Sequence, residues 1–384
     1  MVPTQEILKV YNIGSKRGLF FTRDLMKKLG LRKGELISLS VCKGDKRETF
    51  LSRFNEVMAI RRDVETNLQL KAGDSLTIIF RRLPILERVP RLITDGKVDL
   101  LSIIPIVTSK GFSIVGEEYL HKNEKWIRIW AFHDRGSSRQ IELKRFFDIK
   151  DFGRFLGQMQ AEGTKFNFER LEFCNKSINE HKDFVTYLRK MGISEKLILS
   201  RCEYHKEFLD MGSKIKEFEK EVGIKVSSSY GSKSRRGYGF KTFIRSNIIT
   251  EIVLNSLDIV RKKLIVGNWD ESLRVLADGF FAKILSGDGN IEIITKNRKT
   301  PQARIKIVDG NCEYLKDYAE IMRIYGLKPK IHFKNKMVRS YLNNPEVVKT
   351  LISIGAFEGN PNMEKLKFLN NLAKANKGAY NSTL

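Results

Sequence analysis

The chain has 384 residues and a hydrophobic fraction of 41%, which suffices for about two or three domains with buried cores. Its formal net charge of +25 favours a polyanionic partner, and nucleic acid comes first because phosphates reward lysine and arginine through counterion release. The four cysteines form no CxxC pair, so neither a zinc site nor a disulfide framework is expected. No apolar run is long enough to cross a bilayer and no signal-peptide pattern opens the chain, which predicts an intracellular protein.

A repeat with a period of 39 residues occupies the N-terminal region. Residues 23–25 (Arg-Asp-Leu) return as 62–64 (Arg-Asp-Val), and the Gly-Glu pair at 34–35 returns as Gly-Asp at 73–74. Each copy predicts an entering strand, a short helix, a glycine turn and a leaving strand. The pattern resembles the swapped-hairpin unit of AbrB-type DNA-binding domains over about residues 8–82. The resemblance implies that the two copies pair within one chain; the alternative is two small β-units that only dock.

Short β-like runs and polar turns alternate over residues 89–147. Residues 126–130 (Trp-Ile-Arg-Ile-Trp) predict a strand because apolar side chains alternate with one arginine. We interpret this stretch as a connecting β-region and assign it no chemistry.

Two nine-residue segments of similar pattern follow, at residues 155–163 (Phe-Leu-Gly-Gln-Met-Gln-Ala-Glu-Gly) and 281–289 (Phe-Ala-Lys-Ile-Leu-Ser-Gly-Asp-Gly). Each closes a predicted helix and precedes β-like segments, an amphipathic helix, basic β-segments and a final helix. Both segments resemble the LAGLIDADG motif of homing endonucleases, and the resemblance covers about residues 149–372. It implies an α+β fold of two pseudo-symmetric αββαββα half-domains, preceded by the β-rich AbrB-like domain.

Five regions are therefore expected. They are an AbrB-like tandem DNA-binding domain (1–88), the connecting β-region (89–147), a first half-domain (148–262), a second half-domain (263–372) and a polar, frayed tail (373–384). The first half-domain carries an insertion, because Gly192 and Lys241 are 49 positions apart whereas Gly326 and Lys336 are ten apart. A charged helix near residues 208–222 and a flexible basic loop at 227–237 are predicted within it.

Small residues in the two motifs predict a closely packed helix pair. Gly157, Ala161 and Gly287 suit such a contact, which would place the acidic ends of the helices side by side. Lys283 stands at the third motif position, where the family favours glycine. There it is expected to loosen the contact, unless the register shifts and Ala282 takes the place.

Two neighbouring carboxylates repel each other unless a cation lies between them. Mg²⁺ suits such a site because it prefers carboxylate and phosphate oxygens, and Mn²⁺ is the substitute. The resemblance implies that Glu162 and Asp288 are the catalytic metal ligands, one for each DNA strand. Gly163 and Gly289 complete the expected metal site and let the chain turn away. The alternative is an acidic residue that merely precedes a glycine at a helix end.

Two lysines are further catalytic candidates. Lys241 and Lys336 each stand ten positions before a glutamate, Glu251 and Glu346. The family places a basic residue on this strand, where it positions water and neutralises charge on the scissile phosphate. The alternative is that each lysine only contacts a phosphate or solvent.

The resemblance also implies that the strands form curved sheets that lie in the DNA major groove. The basic residues on or near these strands are the candidates for DNA contact: Lys165, Arg170, Lys233, Arg235, Arg236, Arg245, Lys296, Arg298, Lys299, Arg304, Lys306 and Arg339.

These features predict a site-specific double-stranded DNA endonuclease, acting as a cytoplasmic, nucleoid-associated monomer with a pseudo-twofold axis. Neither a membrane nor a small-molecule substrate is expected as a partner. One alternative is a non-cleaving LAGLIDADG-derived transcriptional regulator, which the AbrB-like region favours and the two retained acids oppose. Another is an RNA-splicing maturase that uses the basic sheets on folded RNA. An intein is not expected, because the chain neither begins with Cys or Ser nor ends in His-Asn.

Overall fold

The computed structural model describes residues 4–31, 36–82, 86, 88–133, 136–137, 140–163, 169–208, 210–232, 237–294, 302–358 and 360–381. The chain divides into two compact units, the first of residues 1–88 and 105–143 and the second of residues 89–104 and 144–384. Within the described ranges no helix has the length and apolarity needed to cross a membrane.

The first unit begins with one sheet that contains both copies of the 39-residue repeat. Its elements are β1 (Thr4–Ile13), β2 (Lys16–Phe20), α1 (Arg23–Leu29), β3 (Leu36–Lys43), β4 (Lys46–Arg53), β5 (Val57–Ala59), α2 (Arg62–Asn67) and β6 (Ser75–Arg82). The strand order is β4-β3-β6-β1-β2-β5. Equivalent strands of the two copies, β3 and β6, pair antiparallel with Leu39 opposite Phe80. The copies therefore share one sheet through main-chain hydrogen bonds and do not merely dock.

A second group of strands follows, and the predicted strand at 126–130 is confirmed within it. The strands are β7 (Ile93–Thr94), β8 (Lys97–Asp99), β9 (Ser113–His121), β10 (Glu124–His133), β11 (Gly136–Ser137), β12 (Ile141–Lys144) and β13 (Phe146–Asp148). β10 lies between β11 and β12 and also pairs with β9, whereas β8 lies between β13 and β7. In the second unit Asp99 binds Arg145, with Oδ2 and Nη2 2.6 Å apart.

The rest of the second unit alternates helices with two four-stranded sheets. Its elements are α3 (Ile149–Glu162), β14 (Leu171–Asn175), α4 (Ile178–Lys190), β15 (Ile198–His205), α5 (Met211–Val222), β16 (Val226–Ser232), β17 (Tyr238–Ile244), α6 (Asn247–Ile265), α7 (Glu271–Asp288), β18 (Gly289–Ile294), β19 (Gln302–Val308), α8 (Cys312–Ile324), β20 (Lys330–His332), β21 (Met337–Tyr341), α9 (Pro345–Ser353) and α10 (Asn362–Asn381).

The two sheets have related strand orders. The first is β14-β17-β15-β16 and the second is β18-β19-β21-β20. In each, the strand before α4 or α8 (β14 or β19) pairs with the strand before α6 or α9 (β17 or β21). Helices cover one face of the first sheet, where His181 of α4 is fully buried and its Nδ1 lies 2.8 Å from the Thr242 hydroxyl of β17.

The predicted insertion is present, but one part of it was assigned wrongly. The charged helix near 208–222 is α5, and the predicted flexible loop at 227–237 begins instead as the edge strand β16, which pairs in parallel with β15. Serine-rich composition suggested a loop, but the open edge of β15 accepts any main chain that can extend beside it. The predicted tail at 373–384 was also wrong in part, since α10 continues to Asn381. Alanine and lysine in this stretch favour helix even where polarity is high.

Candidate functional site

Helices α3 and α7 pack so closely that their backbones touch. A Cβ atom on Gly153 would lie 2.2 Å from the carbonyl oxygen of Leu276, and one on Gly157 would lie 2.2 Å from that of Phe280. Towards the C-terminal ends, a Cβ on Gly287 would lie 2.5 Å from the Cβ of Ala161. Glycine at positions 153, 157 and 287 allows this approach, because a Cβ atom at such distances would overlap the opposite helix. The structure therefore places Gly157, Ala161 and Gly287 at the contact.

Two further glycines of the contact were not predicted. Besides Gly153, Gly279 of α7 meets the opposite helix, since its Cβ would lie 2.6 Å from the carbonyl oxygen of Lys150. Both stand four positions before a residue of the motif pair, Gly157 or Lys283. Small residues at a spacing of four lie on one helix face, and this signal was available in the sequence.

Lys283 corrects the expectation that a lysine at the third motif position loosens the contact. Its Cβ lies 3.0 Å from where a Cβ on Gly157 would be, so the register has not shifted to Ala282, which is buried in α7. Its side chain leaves the contact and reaches α4. There Nζ lies 2.9 Å from Glu180 Oε1 and 2.8 Å from Asp183 Oδ2. The lysine thus joins α7 to α4 by ion pairs.

The two motif acids are brought together at the ends of these helices. Glu162 is the last residue of α3, and Asp288 is the last residue of α7. A Cβ on Gly287 would lie 3.4 Å from Glu162 Cγ and 3.6 Å from its Oε1. The glutamate side chain therefore lies in the space that Gly287 leaves open, one residue before Asp288.

The glycines after the two acids serve a different purpose from the one predicted. Gly163 and Gly289 have φ values of −83° and −86°, which any residue adopts. A Cβ would instead lie 2.5 Å from the Met159 carbonyl oxygen at Gly163, and 2.3 Å from that of Leu285 at Gly289. Glycine is required here for close approach to the preceding helical turn and not for a left-handed turn.

A buried polar chain links the end of α3 to the neighbourhood of Asp288, and sequence reasoning missed it. The Gln160 amide donates to the Tyr318 hydroxyl over 2.9 Å, and that hydroxyl donates to Asp309 Oδ2 over 2.9 Å. Burial raises the pKa of Tyr318 well above its usual value, and the carboxylates of Asp309 and Asp288 raise it further. The tyrosine therefore stays a neutral donor beside the carboxylates. A polar residue two positions before each motif acid was its only sequence signal.

Lys241 lies on the strand where it was predicted. It stands in β17 opposite Cys174 of β14. Phe173, the residue before Cys174 in β14, forms a β-bridge with Gly163. Lys241 therefore lies opposite the neighbour of a residue that pairs with the glycine after Glu162. Lys241 Nζ is already engaged, 2.6 Å from Glu203 Oε1.

Lys336 does not occupy the equivalent position. It is an exposed residue with φ of +48°, in a turn before β21, and its carbonyl oxygen accepts from the Asp309 N–H over 3.1 Å. Cys174 and Val308 each stand three positions before a helix N-cap, Ser177 and Asn311. Because Lys241 lies opposite Cys174 and Met337 lies opposite Val308, Met337 is the counterpart of Lys241 in β21. Equal spacing to a glutamate misled because the two glutamates are not equivalent: Glu251 stands five positions after the N-cap Ser246 of α6, whereas Glu346 stands two positions after the N-cap Asn344 of α9.

Five of the predicted DNA-contact residues lie within the described parts. Arg170 precedes β14 and Arg245 follows β17, whereas Arg304, Lys306 and Arg339 lie on one face of the second sheet, with Lys306 opposite Arg339. The other predicted contacts lie outside the described residues: Lys165, Lys233, Arg235, Arg236, Lys296, Arg298 and Lys299. Arg201 of β15, opposite Lys241, was missed. Its alternation with buried Ser200 and Cys202 was the available signal.

Comparisons with known proteins give structural neighbours only. No protein-family model matches the chain, and no curated protein matches it. Among solved structures, it is similar to the I-LtrWI LAGLIDADG homing endonuclease bound to target DNA, with 12% identity and a TM-score of 0.31 over 59% of this chain and 92% of that chain. It is similar to the same extent to I-SmaMI bound to an uncleaved DNA target in the presence of calcium ions, with 12% identity, a TM-score of 0.31 and the same coverage of 59% and 92%. Likeness at this level does not establish membership of a family.

Proposed function

We propose that the chain is a site-specific endonuclease of the LAGLIDADG kind, which hydrolyses one phosphodiester in each strand of double-stranded DNA. The observation that carries the proposal is that Glu162 and Asp288 end two helices packed through glycines, with the Glu162 side chain beside Gly287. Carboxylates so placed in a chain of net charge +25 suit a site for phosphate chemistry rather than a solvated helix end.

The proposed cofactor is a divalent cation, Mg²⁺ or Mn²⁺, held by these two residues. Both side chains offer hard oxygen donors, and the open space at Gly287 admits the Glu162 carboxylate. Among the described residues no three His, Cys, Asp or Glu side chains gather to hold a metal. A pair of acids is nevertheless a usual protein share of a magnesium site, where phosphate and water provide the remaining ligands. Main-chain oxygens at Gly163 and Gly289 are the further candidates in this proposal.

When bound, such a cation polarises the scissile phosphate and makes a bound water more acidic. The protein's own groups hold the acids in place. The contact of α3 with α7 sets their separation, and the hydrogen bonds from Gln160 through Tyr318 to Asp309 brace the surroundings of Asp288. Lys241 is the proposed cation for neutralising charge on the phosphate, once it has left Glu203.

The two sheets are the proposed DNA-binding surfaces, related by a pseudo-twofold axis between α3 and α7. Each sheet carries basic residues opposite one another on neighbouring strands, Arg201 with Lys241 and Lys306 with Arg339. One chain then suffices for a long asymmetric site, so the protein acts as a monomer. The AbrB-like sheet of the first unit adds further contact with DNA in this proposal.

The test is cleavage of a randomised duplex DNA library in Mg²⁺ by the wild type and by Glu162→Gln and Asp288→Asn. We expect cleavage by the wild type, loss of cleavage in each variant, and DNA binding by all three. Glu271→Gln is the matched control, because Glu271 is an exposed carboxylate at the opposite end of α7. Sequence-selective binding without cleavage by the wild type would refute the nuclease and favour a transcriptional regulator.

A further inference from the structure

The proposed DNA-binding face of the first sheet carries a carboxylate among its cations. Glu172 of β14 is only 5% exposed. Its Oε2 lies 2.8 Å from Arg170 Nη2 and 3.5 Å from Arg201 Nη2, and its Oε1 lies 3.8 Å from Lys241 Nζ. A single buried acid thus touches three cations. Since burial of a charge is costly unless it is paired, these contacts hold the cations in defined positions.

An aromatic ring fixes the same arginines from a second direction. The guanidinium carbons of Arg170, Arg201 and Arg245 lie 5.5, 5.6 and 5.7 Å from the centroid of the Phe243 ring. Three like charges around one ring repel each other, and Glu172 offsets that repulsion. Stacking and ion pairing together restrict the orientation of each guanidinium plane.

The second sheet repeats the arrangement with different residues. Glu292 of β18 binds both Arg304, 3.4 Å away at Nη2, and Lys306 of β19. The hydrogen bond from Lys306 lowers the pKa of Glu292 most; burial opposes it, and the charges of Lys306, Arg304 and Arg339 lower the pKa further. In each sheet, therefore, one acid contacts at least two cations.

These arginines are held from below but remain partly open to solvent. Their Nε atoms are buried and have no hydrogen-bond acceptor within the described ranges, so a base cannot reach them. The side chains of Arg170, Arg201 and Arg304 are 29%, 21% and 23% exposed, and a partly exposed guanidinium held in one orientation suits a planar acceptor pair such as the O6 and N7 atoms of guanine. A phosphate that approaches the same surface contacts cations that are already paired with a carboxylate. Its binding is therefore weaker than binding to the same cations without the acid.

We propose that Glu172 and Glu292 are specificity-determining residues of the DNA interface. Each acid lowers the affinity of its sheet for the phosphate backbone and orients neighbouring arginines towards guanine edges in the major groove. The ratio of specific to non-specific affinity rises as a result, since base contacts specify and phosphate contacts only position. This inference rests on the proposed binding of duplex DNA but not on cleavage.

The test measures binding without catalysis, in buffer that lacks Mg²⁺. Fluorescence anisotropy gives the affinity of random-sequence duplex DNA at several salt concentrations for the wild type, Glu172→Gln, Glu292→Gln and the double variant. We expect non-specific affinity to increase about tenfold in the double variant, with the salt slope steeper by about 1 for each acid removed. Glu320→Gln is the matched control, because that exposed glutamate pairs with Arg323 on the surface of α8.

Selection of bound duplexes from a randomised library gives the second measurement. The wild type should enrich sites with G·C pairs at defined positions, and each glutamine variant should lose part of that enrichment. An unchanged salt slope and unchanged enrichment in the double variant would overturn the proposal, as would preference of the wild type for structured RNA. If Glu172→Gln does not fold, Glu292→Gln carries the test alone, since the Glu292 side chain is 37% exposed.

The two proposals fail separately. A wild type that cleaves DNA while the glutamine variants select unchanged sites retains the nuclease and refutes the role of the acids. A wild type that never cleaves but loses selectivity in the glutamine variants retains the role of the acids and refutes the nuclease.

Discussion

Replacing Lys283 with methionine removes the ammonium group that joins α7 to α4 while keeping a flexible apolar chain of similar length. The lysine side chain is 7% exposed, and its Nζ has three carboxylate oxygens within 3.0 Å, two of Glu180 and one of Asp183. Hydrogen bonds to charged groups contribute about 1.5–3 kcal/mol each when they are lost from a protected site.

The expected cost is smaller than the sum of these bonds. The side chain of Glu180 is 20% exposed and that of Asp183 is 47% exposed, so water can solvate both after the lysine is gone. Glu180 also keeps the hydrogen bond from the Gln158 amide. Removal of the buried cation also ends its own desolvation cost. We expect the free energy of unfolding of the second unit to fall by about 2 kcal/mol, or about 30-fold in its folded-to-unfolded ratio.

Urea denaturation followed by circular dichroism measures this change, and hydrogen exchange of α3 and α7 locates it. Glu180→Gln and the double variant complete a thermodynamic cycle, for which we expect a coupling of about 1–2 kcal/mol. Asp183→Asn is the control, with a cost below about 1 kcal/mol because that carboxylate is half exposed. A Lys283→Met variant as stable as the wild type would refute the account of Lys283 as the connection between α7 and α4.

Three other outcomes follow from the same structure. Gly157→Ala should lower the free energy of unfolding by about 3 kcal/mol, measured by thermal denaturation, because the new Cβ would overlap the Phe280 carbonyl oxygen. Gly212→Ala is the control: no atom lies within 4 Å of the new Cβ, so it should stabilise α5 by about 0.5–1 kcal/mol. Tyr318→Phe should cost about 1–3 kcal/mol. Because the pKa of Tyr318 is raised on folding, the wild type should also lose stability as pH rises above about 10, and the variant should lose less. Burial lowers the pKa of His181 to about 4. The free energy of unfolding should therefore be highest above pH ~6.5 and fall by about 3 kcal/mol as the pH falls towards 4, which unfolding measured over an acid titration checks. If His181→Gln loses stability with falling pH as steeply as the wild type, this account is wrong.

Much of the local structure follows from the sequence alone. The 39-residue repeat predicts two similar strand–helix–strand units, and α3 and α7 end at the motif acids Glu162 and Asp288 as their patterns indicate. Helix ends, strand alternation and small residues at a spacing of four are properties of neighbouring residues. They depend on backbone preferences that operate before distant parts of the chain meet.

Pairing between distant residues was decided only in the folded chain. Lys283 finds Glu180, 103 positions away, and the strand β16 forms because β15 leaves an open edge. Lys241 lies within β17 whereas Lys336 lies in the turn before β21, because the glutamates that suggested their equivalence, Glu251 and Glu346, stand at different places in α6 and α9. These pairings depend on strand register and on which surfaces remain open after the core has packed. A local stretch of sequence determines neither of them.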